Sequence, residues 1–218
     1  MLKAEGIHKS YGDLEVVKGV DLEISDGEIV SIVGSSGAGK STLLQILGTL
    51  DEGDLGSVTL DGINLGELKG NALAEFRNQH IGFVFQFHNL LPEFSALENI
   101  MMPALIGGLS SLESKNRALE LLNFFGLDHR KDHRPNELSG GEQQRISVAR
   151  ALINKPKIVF ADEPSGNLDS ENADVLHKIF FELRDKLGQS FVIVTHNNLL
   201  ADMADRKLVM KDGVIVKE

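Results

Sequence analysis

Three apolar runs, Ile29-Val-Ser-Ile-Val33, Ile158-Val-Phe-Ala161 and Phe191-Val-Ile-Val194, constrain this chain more than any other feature. Each is strand-length, rich in β-branched residues, and lacks the alternation of a strand wet on one side. Strands of a parallel sheet read this way because helices cover both of their faces. Each run gives way at once to polar or glycine residues: Gly34-Ser-Ser-Gly, Asp162-Glu-Pro and Thr195-His-Asn. In open α/β sheets the carboxyl ends of the strands line the ligand crevice. These ends, with Lys, Asp, Glu and His close behind them, are expected to assemble one site; three unrelated loops is the alternative.

Helical spacing fills the intervals. Leu176, Phe180, Leu183 and Leu187 form one stripe, and Ala118, Leu121, Leu122 and Phe125 form another before Gly126, a C-cap candidate. A third helix is expected to begin near Gly140 and run through Ile146 and Ala149. Short alternating strands over residues 2–8, 16–24 and 58–60 predict an antiparallel β layer on the edge of the parallel core. Residues 88–150 contain no buried-strand run and are expected to form an inserted helical subdomain. The 218 residues then make a single domain, with residues 1–87 and 151–218 as its α/β core.

The chain carries 22 Lys plus Arg against 32 Asp plus Glu, a net charge of −10, which disfavours a nucleic-acid partner bound over a broad basic face. A local phosphate site needs no such surplus. With 0 cysteines there is no disulfide scaffold, thiol nucleophile or cysteine-held metal. The first six residues include Glu5 and no apolar core, so no secretory signal is expected. Residues 99–111 are too short and too interrupted by Gly and Pro to span a bilayer, which takes about 20 apolar residues. The expectation is a soluble, cytoplasmic chain whose membrane contact comes through partners.

Gly34-Ser35-Ser36-Gly37-Ala38-Gly39-Lys40-Ser41 fits G-x-x-x-x-G-K-[ST], the phosphate-binding P-loop. Glycines let the backbone turn its N–H groups inward around phosphate oxygens. Lys40 is then placed to reach the β- and γ-phosphates and the Ser41 hydroxyl to ligate Mg²⁺, with a helix N-terminus behind them. The pattern follows a buried strand and opens the apolar run Leu43-Leu-Gln-Ile-Leu47, the context it requires. A carboxylate such as Asp162 at an adjacent strand end can hold Mg²⁺ through water. Glu163 can accept a proton from an attacking water, its bland reading being a solvated loop glutamate. His196 can meet the γ-phosphate or position that water, or be structural. Leu138-Ser139-Gly140-Gly141-Glu142-Gln143 supplies a second anion-binding helix start. One nucleotide does not need two such cradles from one chain; two copies arranged head to tail would use one from each.

With these motifs in this order, the chain resembles the nucleotide-binding subunits of ABC transporters over essentially its whole length. The resemblance implies a RecA-like P-loop NTPase core and ATP hydrolysis with Mg²⁺. It likens Gly34–Ser41, followed by Thr42, to Walker A, and Tyr11 to the aromatic that stacks on adenine. Gln86 resembles the Q-loop glutamine that contacts Mg²⁺ and senses the membrane subunits. Ser139, Gly140, Gly141 and Glu142 resemble the signature that acts in trans. Asp162 and Glu163 match Walker B and its catalytic glutamate, Asp169 the D-loop, and His196 the switch histidine. The family's arrangement is a homodimer closing around two ATP, beneath two transmembrane subunits on the cytoplasmic face of the inner membrane.

Within the family, residues 77–106 and 126–135 resemble ATPase subunits that drive lipoprotein release. Macrolide and peptide exporters and the cell-division ABC complex share this style, and a soluble ABC ATPase is a further alternative. Phe87, Leu90, Leu91, Phe94 and Leu97 are many large apolar side chains for one loop-to-helix stretch, as a partner groove or a subdomain core would require. Two departures are mild: Ser165 stands where relatives have threonine, and Asn197 where aspartate is common.

Overall fold

The structure, a computed structural model, describes residues 1–216. Its centre is a six-stranded sheet in the order β10-β9-β3-β8-β7-β6. The strands are β3 (Ile29–Val33), β6 (Ile81–Phe85), β7 (Ile158–Asp162), β8 (Ser190–Val194), β9 (Arg206–Lys211) and β10 (Val214–Val216). All neighbours pair in parallel except the terminal β9–β10 hairpin. The three apolar runs lie adjacent as β3, β8 and β7, and their residues alternate between two cores. Ile29, Val159, Phe191 and Ile193 face one core, and Val30, Ile158, Phe160 and Val192 the other, which is why the runs carry no polar alternation.

Against one face pack α3 (Ala96–Ile106), α4 (Ser111–Phe124), α5 (Gly140–Leu152) and α6 (Ser170–Leu187). On the other lies α1 (Lys40–Leu47), with Leu43, Leu44, Ile46 and Leu47 all buried. α1 shares its core with a second sheet, ordered β2-β1-β4-β5, of β1 (Leu2–Tyr11), β2 (Leu14–Ile24), β4 (Leu55–Leu60) and β5 (Ile63–Asn64). The antiparallel layer expected at the edge of the parallel core is thus a sheet of its own. It meets the central sheet at a corner, where the Lys18 amide donates to Gly213 O at 2.9 Å. Two further helices, α2 (Gly70–His80) and α7 (Asn198–Met203), flank the central sheet.

Strand register decides what meets at the crevice. Val194 sits opposite both Ile32 and Asp162, and Phe85 opposite Asp162. The chain therefore leaves the sheet at nearly one level in four neighbouring strands, releasing Gly34, His196, Glu163 and Gln86 side by side.

Candidate active site

The loop from β3 to α1 wraps around the Lys40 side chain, whose Nζ donates to Gly34 O at 2.9 Å and Ser35 O at 3.0 Å. Its glycines have different reasons. A Cβ on Gly34 would lie 2.1 Å from Met210 O and one on Gly39 2.6 Å from Val16 O, so both are required by the strands pressed against the loop. Gly37, at φ 80°, has nothing within 4 Å of such a Cβ and faces the open crevice. Ser35, Ser36 and Gly37 are exposed at that opening, whereas Ala38 and Gly39 are buried beneath it.

Ser41, on the first turn of α1, donates its hydroxyl to Asp162 Oδ1 at 3.0 Å across the gap between α1 and β7. Burial pushes the Asp162 carboxyl up; Glu163 adds to this, while the Ser41 bond and Lys40 oppose it. Glu163 follows at φ 46°, a left-handed backbone that few side chains adopt. Its amide is fixed by Val194 O at 2.9 Å. Its carboxylate Oε2 lies 2.8 Å from His196 Nδ1 and accepts the His196 amide at 3.2 Å. The imidazole itself is 70% exposed, whereas the Glu163 side chain is only 19% exposed.

Gln86 leaves β6 beside this group, and its amide donates to Asn167 Oδ1 at 3.0 Å while Asn167 donates back to Gln86 O at 3.2 Å. Tyr11 stands exposed at the end of β1, with its hydroxyl on Asp51 just past α1. Thr42 is half-buried in the first turn of α1. Asp169 caps α6 by accepting the Asn172 amide at 2.8 Å, a bond that holds its carboxyl below the usual range.

Ser139 caps α5 in the same manner, accepting the Glu142 amide at 3.2 Å. The Glu142 carboxylate turns back onto the Ser139 amide and onto Arg130 Nε, each at 2.8 Å. Burial would raise its pKa, but these bonds outweigh it and hold the group ionised. With that carboxylate occupied, exposed Ser139 and Gly140 open the helix. Gly141 is packed on α6, where a Cβ would lie 2.1 Å from Asn172 Oδ1. Among the described residues, no hydrogen bond or ion pair joins residues 138–143 to residues 34–41.

The structure therefore gathers Lys40, Ser41, Asp162, Glu163, His196 and Gln86 at one crevice and places the Ser139–Gly141 cradle elsewhere. Four partnerships had no local sequence signal: Gln86 with Asn167, Tyr11 with Asp51, Glu142 with Arg130, and Ser165 with His177.

A profile of the ABC transporter family matches residues 17–166. The chain belongs to that family. This ABC ATPase is 62% identical to the lipoprotein-releasing system ATP-binding protein LolD of Bacteroides thetaiotaomicron, with all 218 residues and the whole relative aligned. It is 61% identical to the LolD of Cytophaga hutchinsonii, over 99% of each chain. Among solved structures it is similar to a dimeric ATP-binding cassette in a post-hydrolysis state bound to ADP and Pi. There the TM-score is 0.91 at 40% identity, over 100% of this chain and 97% of that one. The expected P-loop fold and ATPase class are both borne out. Hydrolysis of ATP is accordingly the reaction for which the crevice geometry has to account.

Proposed function

We propose that the chain is the ATP-hydrolysing subunit of a lipoprotein-releasing ABC transporter. In this reading two copies work beneath two transmembrane subunits, peripherally on the cytoplasmic face of the inner membrane. Full-length similarity to LolD proteins supports the cargo class. The observation that carries the chemistry is the Glu163–His196 contact standing beside the Ser41–Asp162 contact at the P-loop mouth.

The backbone amides of residues 35–41 and Lys40 hold the β- and γ-phosphates, with Tyr11 beneath the base. Ser41 and Asp162 offer one hydroxyl and one carboxylate oxygen. That small set of hard donors suits Mg²⁺, which keeps waters and phosphate oxygens for the rest of its shell. Gln86 lies next in line from β6. Bound there with the nucleotide, Mg²⁺ supplies charge neutralisation at the phosphates. Both contacts to Glu163 fall on Oε2, leaving Oε1 to accept the proton of the attacking water. The His196 imidazole, with Nδ1 2.8 Å from that carboxylate, keeps it aimed. Lys40 stabilises the charge spreading over the transferred phosphoryl oxygens.

The helix start at Ser139 and Gly140 is exposed and separate from its own P-loop, so it is available to close the γ-phosphate pocket of a second copy. Residues 88–150 act as the subdomain that carries it. Ile106, 72% exposed, borders a groove with Phe83, Phe85, Pro103 and Ile153 that suits a segment of a membrane subunit, and Phe87 is 71% exposed just past β6. Leu90 and Leu97 are partly buried and pack against the helical-side core.

The test is affinity capture of the Glu163→Gln chain from detergent-solubilised membranes with ATP and Mg²⁺, with mass spectrometry of what co-purifies. Recovery of membrane subunits, together with ATP-dependent release of a lipid-anchored protein by the wild-type complex, is expected. Recovery of a drug or peptide exporter, or of division proteins, would overturn the cargo. Recovery of soluble partners alone would overturn the transport assignment.

A further inference from the structure

One buried titratable side chain stands behind the site without a part in the chemistry above. His177, on the second turn of α6 and 3% exposed, places Nε2 3.0 Å from the hydroxyl of Ser165, itself 9% exposed. Burial lowers the histidine's pKa, with Asp174 opposing, so the ring is neutral at neutral pH. A neutral imidazole offers one donor and one acceptor, and a hydroxyl is both, so either tautomer completes the bond.

What makes this bond consequential is the segment it grips. Glu163 sits at φ 46°, a strained conformation that persists only where the surroundings enforce it. Three backbone bonds shape the turn: the Glu163 amide to Val194 O at 2.9 Å, the Gly166 amide to Glu163 O at 3.0 Å, and the Leu168 amide to Ser165 O at 3.1 Å. The first anchors the turn to β8; the other two are internal to it. Among the described residues, Ser165 makes the side-chain hydrogen bond that joins this turn to α6. There Ala173, Leu176 and Phe180 are buried around His177, so the imidazole is mounted on a rigid helix face.

We infer that His177 is a positioning residue for Glu163: through the Ser165 hydroxyl it fixes the 163–168 turn, and so the carboxylate against His196. The inference rests on the reading of Glu163 as general base. Loss of the bond leaves Glu163 present but loosely aimed, and misplacement of about 1 Å at a reacting centre costs up to about 10²-fold in rate.

The test compares Ser165→Ala, Ser165→Thr, His177→Gln and the Ser165→Ala/His177→Leu double variant in full-length protein, with Glu163→Gln as reference. Single-turnover ATP hydrolysis, ATP Kd and near-UV circular dichroism are read for each. Ser165→Ala and the double variant should lose about tenfold in the hydrolysis rate with unchanged Kd. Ser165→Thr, which keeps the hydroxyl, should stay within about twofold of wild type, and His177→Gln, which keeps a polar amide, should fall between them. The inference is overturned if Ser165→Ala hydrolyses at the wild-type rate while Glu163→Gln is inactive, which leaves the base assignment standing. It is overturned equally if rate, affinity and folded signal fall together, since that is a purely structural role. A Glu163→Gln chain with wild-type turnover would remove the base reading, and the inference with it.

Discussion

The Tyr11 hydroxyl donates to Asp51 Oδ2 at 2.6 Å, tying the end of β1 to the residue whose amide bonds Gln45 O at the close of α1. Lys9 completes the clamp, with Nζ 3.2 Å from Asp51 Oδ1 and 5.3 Å from the Tyr11 ring centroid. The ring, 51% exposed, is thereby fixed relative to the P-loop helix without being buried. If it is the adenine platform, Tyr11→Phe keeps the stacking face and loses only the tether. One exposed hydrogen bond is worth about 1 kcal/mol, so ATP affinity should drop about fivefold. Tyr11→Ala, which removes the face, should lose about tenfold or more. Calorimetric titration with ATP separates the two, and equal losses would refute the tether.

Glu163→Gln should reduce the hydrolysis rate by about 10² to 10⁴ while leaving ATP binding intact. His196→Ala should cost less, because the His196 amide still contacts Oε2 and Glu163 remains anchored through Val194 O. Rapid-quench measurement under single-turnover conditions gives the order, and a His196→Ala defect larger than that of Glu163→Gln would reverse the proposed roles.

Asp162 is kept protonatable by burial, so its folded-state pKa lies above the unfolded one. A raised carboxyl contributes stability below the unfolded pKa and loses it as pH rises through the folded pKa. At neutral pH the ionised group therefore burdens the nucleotide-free fold. Asp162→Asn should raise the Tm of that form at pH 7, with the difference vanishing as pH falls below the ordinary carboxylate range. The same variant should lose the extra Tm gained from ATP with Mg²⁺ over ATP alone. Scanning fluorimetry across pH, with and without Mg²⁺, checks both halves.

The P-loop glycines should divide by mutation. Gly34→Ala drives a Cβ to 2.1 Å from Met210 O and should abolish soluble, folded protein. Gly37→Ala meets nothing within 4 Å and carries only the strain of φ 80°, on the order of 1 kcal/mol. It should fold and bind ATP more weakly, as circular dichroism and nucleotide titration would report.

How far the sequence reached follows from the kind of signal each part leaves. β3, β7 and β8 were legible because burial on both faces writes an unbroken apolar run. β6 was not, although it pairs with β7, because Gly82 interrupts it. That glycine is needed where a Cβ would come 2.7 Å from Ala151 O of α5. The β9–β10 hairpin carried a turn signal in Asp212-Gly213, at φ 48° and 88°, but β9 begins and ends in charge and β10 is only 3 residues long. α2 buries no residue, so it leaves no stripe to read. Lys40, Asp162, Glu163 and His196 were found because each follows a strand end. His177, Asn167 and Asp51 were not, because their partners lie 12, 81 and 40 residues away and only the folded chain makes them neighbours.

The distance between the Ser139 cradle and its own P-loop has a genetic reading. In a pair that exchanges cradles, Lys40 and Ser139 of one copy belong to different catalytic centres. A mixed pair of one Lys40→Ala chain and one Ser139→Phe chain would concentrate both lesions in one centre and leave the other wholly wild type. Neither mutant paired with itself has an intact centre. Co-expression of two inactive alleles would therefore restore activity to the mixed pairs alone, which makes complementation between null mutants an expected property of this gene.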